Sequence, residues 1–287
     1  MLQDINKAAL QCALVRIKRN LGFLTEKGLM KDNPEEIFEK IEVTTDLKEA
    51  VEEADYIQES IPERYDLKKK IFRQVDNLTQ PHAIIASSTS TLKMTVIQEA
   101  AENPERCITA HPWNPPYLMP LVEIIPGEKL RLKPLRKPRD FMTRIGKVAV
   151  IQKKETIGSI GNRLAAALWR EAISLVDEGI ADLEDVDRAV SAGPGLRWAI
   201  IGLHLSCHLG GGERGIEHFL EHLGPRNGIK MVSLAKWNAL PPLARRKIIK
   251  GIKDYSMLKE KFMEDLIRWR DNKIAEILKI LYGEDNR

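Results

Sequence analysis

Between Asn6 and Gly28 apolar side chains recur at spacings of three and four: Leu10, Leu14, Ile17, Leu21 and Leu24, with Lys18, Arg19 and Lys27 off that face. This period predicts an amphipathic helix, and Gly28 is a suitable stop. Downstream the period shortens. "YIQESI" (56–61), "AIIASST" (83–89), "CITAHPW" (107–113), "LVEIIPG" (121–127) and "KVAVIQ" (147–152) are short apolar runs bounded by turn residues, the pattern of strands. "DLKKKIFRQVDNL" (66–78) and "MTVIQEAA" (94–101) lie between them with helical spacing. Strands alternating with helices predict an α/β sheet, parallel at least in part.

After Lys154 the pattern changes. "GNRLAAALWREAISLVDEGI" is one long helical stretch ending near Gly179, and "DLEDVDRAVSA" opens another with Asp182 as candidate N-cap. No strand pattern follows Gly193. A last helix over 259–282 carries Phe262, Leu266, Trp269, Ile277, Leu278 and Leu281 on one face. The expected division is an α/β domain over 1–154 and an all-helical domain over 155–287. One segment resists this scheme. "KLRLKPLRKPRDFMTRIG" (129–146) stands where a helix should return the chain between strands, yet Pro134 and Pro138 argue against a continuous helix in its first half. Its bases Lys129, Arg131, Lys133, Arg136, Lys137 and Arg139 fit a phosphate-contacting loop or, more simply, a solvated face.

Composition narrows the class. The 287 residues suffice for one large or two medium domains, and 43% hydrophobic with 30% charged residues is ordinary for a soluble globular chain. The net charge of +4 is small and dispersed, and no apolar run approaches a membrane span, so neither nucleic acid nor membrane is expected as a partner. Cys12, Cys107 and Cys207 are odd in number and far apart. They suggest no disulfide framework and fit a reducing, cytoplasmic setting; no signal-peptide pattern opens the chain.

Four residues stand out chemically. Ser90 follows the second internal strand in "ASSTSTL", where doubly wound sheets bind ligands, although Ser and Thr also cap helices there. His111 ends the next strand, because Pro112, Pro115 and Pro116 break the ladder after it. Glu123 sits among aliphatic residues in "PLVEII", and a buried acid needs a partner. A carboxylate on one ring nitrogen would fix the imidazole tautomer and leave the other nitrogen as a base. Asn162 opens the first helix of the second domain, as a ligand-binding amide or a cap. His204, Cys207 and His208, with Glu213 beyond, have spacing open to zinc, but packing is the simpler account and no metal is expected. Arg197 and Trp198 could meet a substrate carboxylate, phosphate or quaternary ammonium, or pack at a dimer interface. The tail over 236–287 reads as a solvated face or an interaction surface.

Together, "ASSTSTL", "HPWNPPYLMPLVEIIPG" and "IGNRLAAALWREA" resemble the NAD-dependent 3-hydroxyacyl-CoA dehydrogenase family from Asp4 to about Pro225. The tract "ALWREAISLVDEGIADLEDVDRAVSAGPGLRWA" is more similar to its carnitine dehydrogenase and lambda-crystallin (gulonate dehydrogenase) branch. The resemblance implies a Rossmann-like doubly wound sheet, N-terminally truncated, followed by an all-α substrate and dimerisation domain, and hence a homodimer. It implies NAD as cofactor and a small 3-hydroxyacyl substrate, or carnitine or gulonate. It assigns His111 as catalytic base, Glu123 as its paired acid, Ser90 as the partner of the substrate's 3-oxygen near the nicotinamide, and Asn162 as a further active-site amide. Asp4, Glu63, Lys68 and Asn114 fall at cofactor-contacting positions.

The family's opening G-x-G-x-x-G turn has no counterpart near the start of this chain. Gly22 and Gly28 lack the spacing, and the glycines at 210–212 lie in the helical part. Asp4 matches an acid that normally lies ~20 residues beyond those glycines. A strand–helix–strand unit on the order of 30 residues is therefore expected to be missing, through a truncated or misassigned start or a decaying gene. Facing strand edges would be left unpaired, and the helix N-terminus that holds a pyrophosphate would be lost. A non-catalytic remnant is the alternative.

Overall fold

The structure is a computed structural model that describes residues 1–129, 135–222 and 224–283. Two compact units divide it: Met1–Arg163 with Ile274–Lys279, and Leu164–Lys273 with the residues from Ile280 on.

The first unit opens with β1 (Leu2–Gln3), α1 (Lys7–Glu26), α2 (Pro34–Glu39), β2 (Val43–Thr44) and α3 (Leu47–Val51). It continues with β3 (Tyr56–Glu59), α4 (Tyr65–Leu78), β4 (Ile84–Ser87), α5 (Met94–Ile97), β5 (Cys107–Pro112), β6 (Leu121–Pro126), α6 (Arg136–Arg144) and β7 (Val148–Ile151). The amphipathic helix expected near the N-terminus is α1. It is capped by the Asn6 side chain, which accepts from the N–H groups of Ala8 and Ala9. The strands fall into two sheets, a parallel β1–β2 pair and a five-stranded sheet in the order β3-β4-β5-β6-β7. Every pairing in the larger sheet is parallel except β5 with β6, which run antiparallel.

Alternation along the strands distributes side chains to two faces. Ala86, Ile108, Ala110, Val122 and Ile124 pack on one face with Leu135 and Met142, at the start and on the length of α6. Ile85 and Cys107 point to the other, packing with Val51, Phe72, Val75, Met94 and Ile97 from α3, α4 and α5. Odd positions of β5 and β6 therefore face the α4–α5 side, which directs both His111 and Glu123 there.

A helix returns the chain in the second half of the basic segment. Residues 130–134, including Arg131, Lys133 and Pro134, lie outside the described residues, but α6 contains Pro138. Pro138 occupies the first turn, where a missing N–H has no helical acceptor to lose. Arg136, Lys137 and Arg139 are exposed on this helix, with Arg136 and Arg139 within 3.5 and 3.6 Å of Asp140. The described part of the basic segment is thus a solvated helical face.

The long helix after the sheet is α7 (Ile160–Asp177), which ends before Gly179 at φ 72°. Its first turn belongs to the first unit, because the Gly161 N–H donates to Glu123 on β6. The second unit continues with α8 (Leu183–Ala192), α9 (Pro194–Ile201), α10 (Leu203–Gly210), α11 (Gly215–His222), α12 (Gly224–Ser233), α13 (Pro242–Asp254), α14 (Ser256–Glu260) and α15 (Met263–Tyr282). Asp182 holds the N-cap position of α8 without a side-chain capping bond. The last expected helix is broken at Lys261–Phe262, and Phe262 is 84% exposed rather than on a buried stripe.

A buried ion pair locks α4 to the start of β5. Arg106 donates to the Asp76 carboxylate at 2.7 Å and to the carbonyls of Asp76 and Gln80, while Asp76 also accepts from the N–H groups of Glu102 and Asn103. Arg106→Ala leaves Asp76 without its cation at a site where its side chain is fully buried. The expected loss is about 3–5 kcal/mol of unfolding free energy, read by urea denaturation; a change below 1 kcal/mol contradicts this role.

Candidate active site

The site is built at the carboxyl ends of β3, β4 and β5, where a sheet's backbone donors and loop side chains converge. Beneath it lies a buried ion pair. Lys68 on α4 is 1% exposed, and its ammonium donates to both Glu59 oxygens at 2.8 and 3.0 Å and to the Ile61 carbonyl at 3.1 Å. Glu59, the last residue of β3, also accepts from the Ser87 hydroxyl at 2.6 Å. Glu63 stands 3.6 Å from the same ammonium. Its Oε1 collects the Thr89 hydroxyl at 2.6 Å, the Ser90 and Thr91 N–H groups at 3.0 Å each, and the Thr91 hydroxyl at 3.1 Å. One carboxylate therefore folds the loop 89–91 and sets Ser90 in place. Burial alone would push Glu63 up, but the Thr89 and Thr91 donors and the Lys68 charge outweigh it and bring the carboxyl down to about 2.

Sheet register makes the next pair. In the antiparallel ladder His111 is directly opposite Glu123, so both side chains leave the same face. His111 Nδ1 lies 3.4 Å from Glu123 Oε2, and its Nε2 lies 3.2 Å from the Ser90 hydroxyl. The carboxylate facing Nδ1 takes the N–H there and leaves the Nε2 lone pair towards Ser90. Three further donors hold Glu123, namely Trp113 Nε1 at 2.9 Å, the Ser159 hydroxyl at 2.5 Å and the Gly161 N–H at 2.9 Å. Burial would raise the Glu123 carboxyl, yet the hydrogen bonds from His111, Ser159, Gly161 and Trp113 together hold it down at about 2. Asn162, on the first turn of α7, donates to the Ser90 carbonyl at 3.5 Å. Ser90, His111, Glu123 and Asn162 thus come together, although 72 residues separate the first from the last.

Beside them lies a small recess lined by Thr89, Ser90, Thr91, Thr109, Thr156 and Ser159, with Leu92, Ile125 and Glu155. The other cofactor candidates are spread more widely. Asp4 follows β1 and accepts from the Asn6 N–H at 2.8 Å, and Asn114 is exposed in the turn after β5. Lys68 is enclosed, so what it gives the site is support for Glu59 and Glu63.

Ser159, Trp113 and Gly161 were not singled out from the sequence. The need for glycine at Gly161 appears only in the fold, where a Cβ would lie 2.5 Å from the Trp113 ring. In the helical unit, His208 accepts the Ile216 N–H at 3.1 Å, Arg197 is exposed and Trp198 half-buried on α9. Among the described residues the metal-ligand atoms that lie close together belong instead to His218, Glu221 and His222. Arg214 already pairs with Glu221 at 2.8 Å there.

The depressed Glu123 carboxyl has a consequence for stability. Its folded value near 2 lies below the ordinary 4.5, so its contribution is full above about pH 4.5 and is lost as pH falls towards 2. Between pH 6 and 3 this costs about 2 kcal/mol. Urea unfolding of Glu123→Gln should show a drop smaller by about that amount over the same interval; an unchanged acid dependence contradicts the assignment.

Comparison with known proteins gives the family of the chain. Residues 1–156 match the model of the 3-hydroxyacyl-CoA dehydrogenase NAD binding domain, and residues 158–255 match that of the 3-hydroxyacyl-CoA dehydrogenase C-terminal domain. An L-carnitine dehydrogenase of Bacillus cereus is 40% identical over 232 residues, 78% of this chain and 71% of that protein. One of Streptomyces coelicolor is 38% identical over 244 residues, 84% and 75% of the two chains. Among solved structures, an NAD+-dependent 5-formyl-3-hydroxy-2-methylpyridine 4-carboxylic acid 5-dehydrogenase superposes with TM-score 0.83 at 28% identity, covering 98% of this chain and 90% of that one. Escherichia coli 3-hydroxybutyryl-CoA dehydrogenase gives TM-score 0.61 at 29% identity over 66% and 40% of the chains. The Rossmann-like sheet, the helical unit that follows it in sequence and both domain matches make this chain a member of the NAD-dependent 3-hydroxyacyl-CoA dehydrogenase family of oxidoreductases.

Proposed function

We propose that this chain oxidises the 3-hydroxyl of L-carnitine, a free 3-hydroxy acid, to the ketone, with NAD as cofactor. The observation that carries the chemistry is the His111 imidazole held between Glu123 at 3.4 Å and the Ser90 hydroxyl at 3.2 Å. The choice of carnitine over a CoA thioester is supported by the 40% and 38% identity to L-carnitine dehydrogenases.

His111 Nε2 removes the proton of the substrate hydroxyl as the C3–H bond gives up its hydride. Bound NAD supplies the hydride acceptor. Ser90 bonds the same substrate oxygen and so aligns it with Nε2. Glu123 keeps the proton on Nδ1 and stabilises the imidazolium once the second proton arrives. Asn162 steadies Ser90 through its carbonyl. Glu63, whose side chain is 38% exposed, offers an accessible carboxylate edge suited to the N–H donors of a carboxamide. Asp4 and Asn114 would meet the rest of the cofactor, and Lys68 acts on it through Glu63. Appearance of NADH with L-carnitine, and its absence with 3-hydroxybutyryl-CoA and gulonate, is the expected outcome; turnover of the thioester or gulonate instead reassigns the substrate, and no NADH with any of them favours a non-catalytic remnant. His111→Gln should lower kcat by about 10²–10⁴.

The helical unit is further proposed to bind a second copy of the chain. Leu168, Trp169, Ile200, Leu205, Leu209 and Leu220 are each at least 41% exposed in the single chain. Apolar exposure of this kind supports an association surface on the unit. Light scattering on the purified protein should return twice the 32.6 kDa chain mass; the monomer mass contradicts a dimer.

A further inference from the structure

Oε2 of Glu123 is shared unequally. Ser159 donates to it at 2.5 Å, Trp113 at 2.9 Å, and the imidazole only at 3.4 Å. The partner that chemistry most needs therefore has the longest bond. Both competitors are fixed. Ser159 is 2% exposed, between the strand β7 and the first turn of α7, and its neighbour Gly161 donates to the other carboxylate oxygen. The Trp113 indole lies against Gly161, where a Cβ would come within 2.5 Å of the ring. Neither donor can swing into solvent without opening that packing.

A carboxylate that already satisfies strong donors presents less of its charge to a third. An undivided carboxylate would favour the protonated imidazole and withhold the lone pair that a base must offer. We propose that Ser159 and Trp113 are positioning residues that set the proton affinity of His111 by competing with it for Glu123. Other charges do not do this work. Glu59 is closed by Lys68 within the sheet's end, and Glu63 spends Oε1 on loop 89–91. Glu155, which lines the recess, accepts from the Thr95 N–H at 3.2 Å. Ser90, which faces Nε2, is uncharged.

The inference rests on His111 being the base for its catalytic meaning, but its physical content is tested without turnover. The six histidines can be labelled with nitrogen-15 in the unliganded protein and titrated by NMR, with the His111 ring identified by its loss in His111→Gln. Ser159→Ala and Trp113→Phe should each move the midpoint of the His111 ring to higher pH by about half a unit to one unit, within what one hydrogen bond to a charged group is worth. Ser159→Thr keeps the hydroxyl and should restore the original midpoint. Glu123→Gln should move it to lower pH, since the anion is gone. Unmoved or lowered midpoints in both Ser159→Ala and Trp113→Phe overturn the proposal, even if both variants lose stability. Should Ser159→Ala fail to fold, Trp113→Phe alone decides, because it keeps an aromatic side chain, though a smaller one, and removes the N–H donor. The acid limb of kcat/KM should follow the ring midpoint. If the midpoints move and that limb does not, the competition stands and the role of His111 as base falls.

Discussion

A carboxylate with 1% of its side chain exposed must be surrounded by donors, and the way this chain meets that demand at Glu123 organises the site. Its four donors come from three places: His111 on β5, Trp113 just beyond it, and Ser159 and Gly161 at the entry to α7. Satisfying one acid thereby ties the end of the sheet to the start of the long helix. Asn162 follows within the same turn and reaches Ser90 only because Gly161 is held there. The antiparallel β5–β6 ladder is the exception in an otherwise parallel sheet, and it is what sets His111 directly across from Glu123.

The same principle operates twice more on the α4 face. Lys68 and Asp76 lie on the buried side of α4, eight residues apart, and each is matched by a charge from a strand end, Glu59 and Arg106. The Glu59 pair also holds Ser87, and Glu63 gathers the hydroxyls and N–H groups of loop 89–91. Ser90 is thus placed by charges that do not touch it with their own side-chain ends except through its N–H. Electrostatics beneath the sheet edge and electrostatics across it meet at one hydroxyl and one imidazole.

The helical unit follows a different logic. Its helices pack mostly on their chain neighbours, with α13 also against α8, and many apolar residues of the unit stay exposed in the single chain, including Trp169, Ile200 and Phe262. The amphipathic stripe read along the last helix is interrupted at Lys261–Phe262, and half of it faces outward. Periodicity reports which side of a helix is apolar; it does not report whether the cover comes from the same molecule.

By itself the sequence determined the alternation of strands and helices and the switch to an all-helical pattern, because periodicity and turn chemistry are local; it offered Ser90, His111, Glu123 and Asn162 as chemically able residues, with roles that only the resemblance to a family supplied. It also placed His111 and Glu123 at strand positions, but it could not state that β5 and β6 run antiparallel in a register that opposes them. Pro138 carries the character of a helix breaker, and only the helix start at Arg136 shows that it falls in a harmless first turn. Lys68 carried a cofactor-contacting expectation, whereas its enclosure by Glu59 and Ile61 is a fact of three-dimensional burial. Ser159, Trp113 and Gly161 escaped notice for the same reason. A serine between glycines and a tryptophan beside prolines have no chemical signature until folding brings them, from 36 and 10 positions away, to one carboxylate oxygen. Hydrogen-bond partners far apart in sequence are decided by tertiary closure alone.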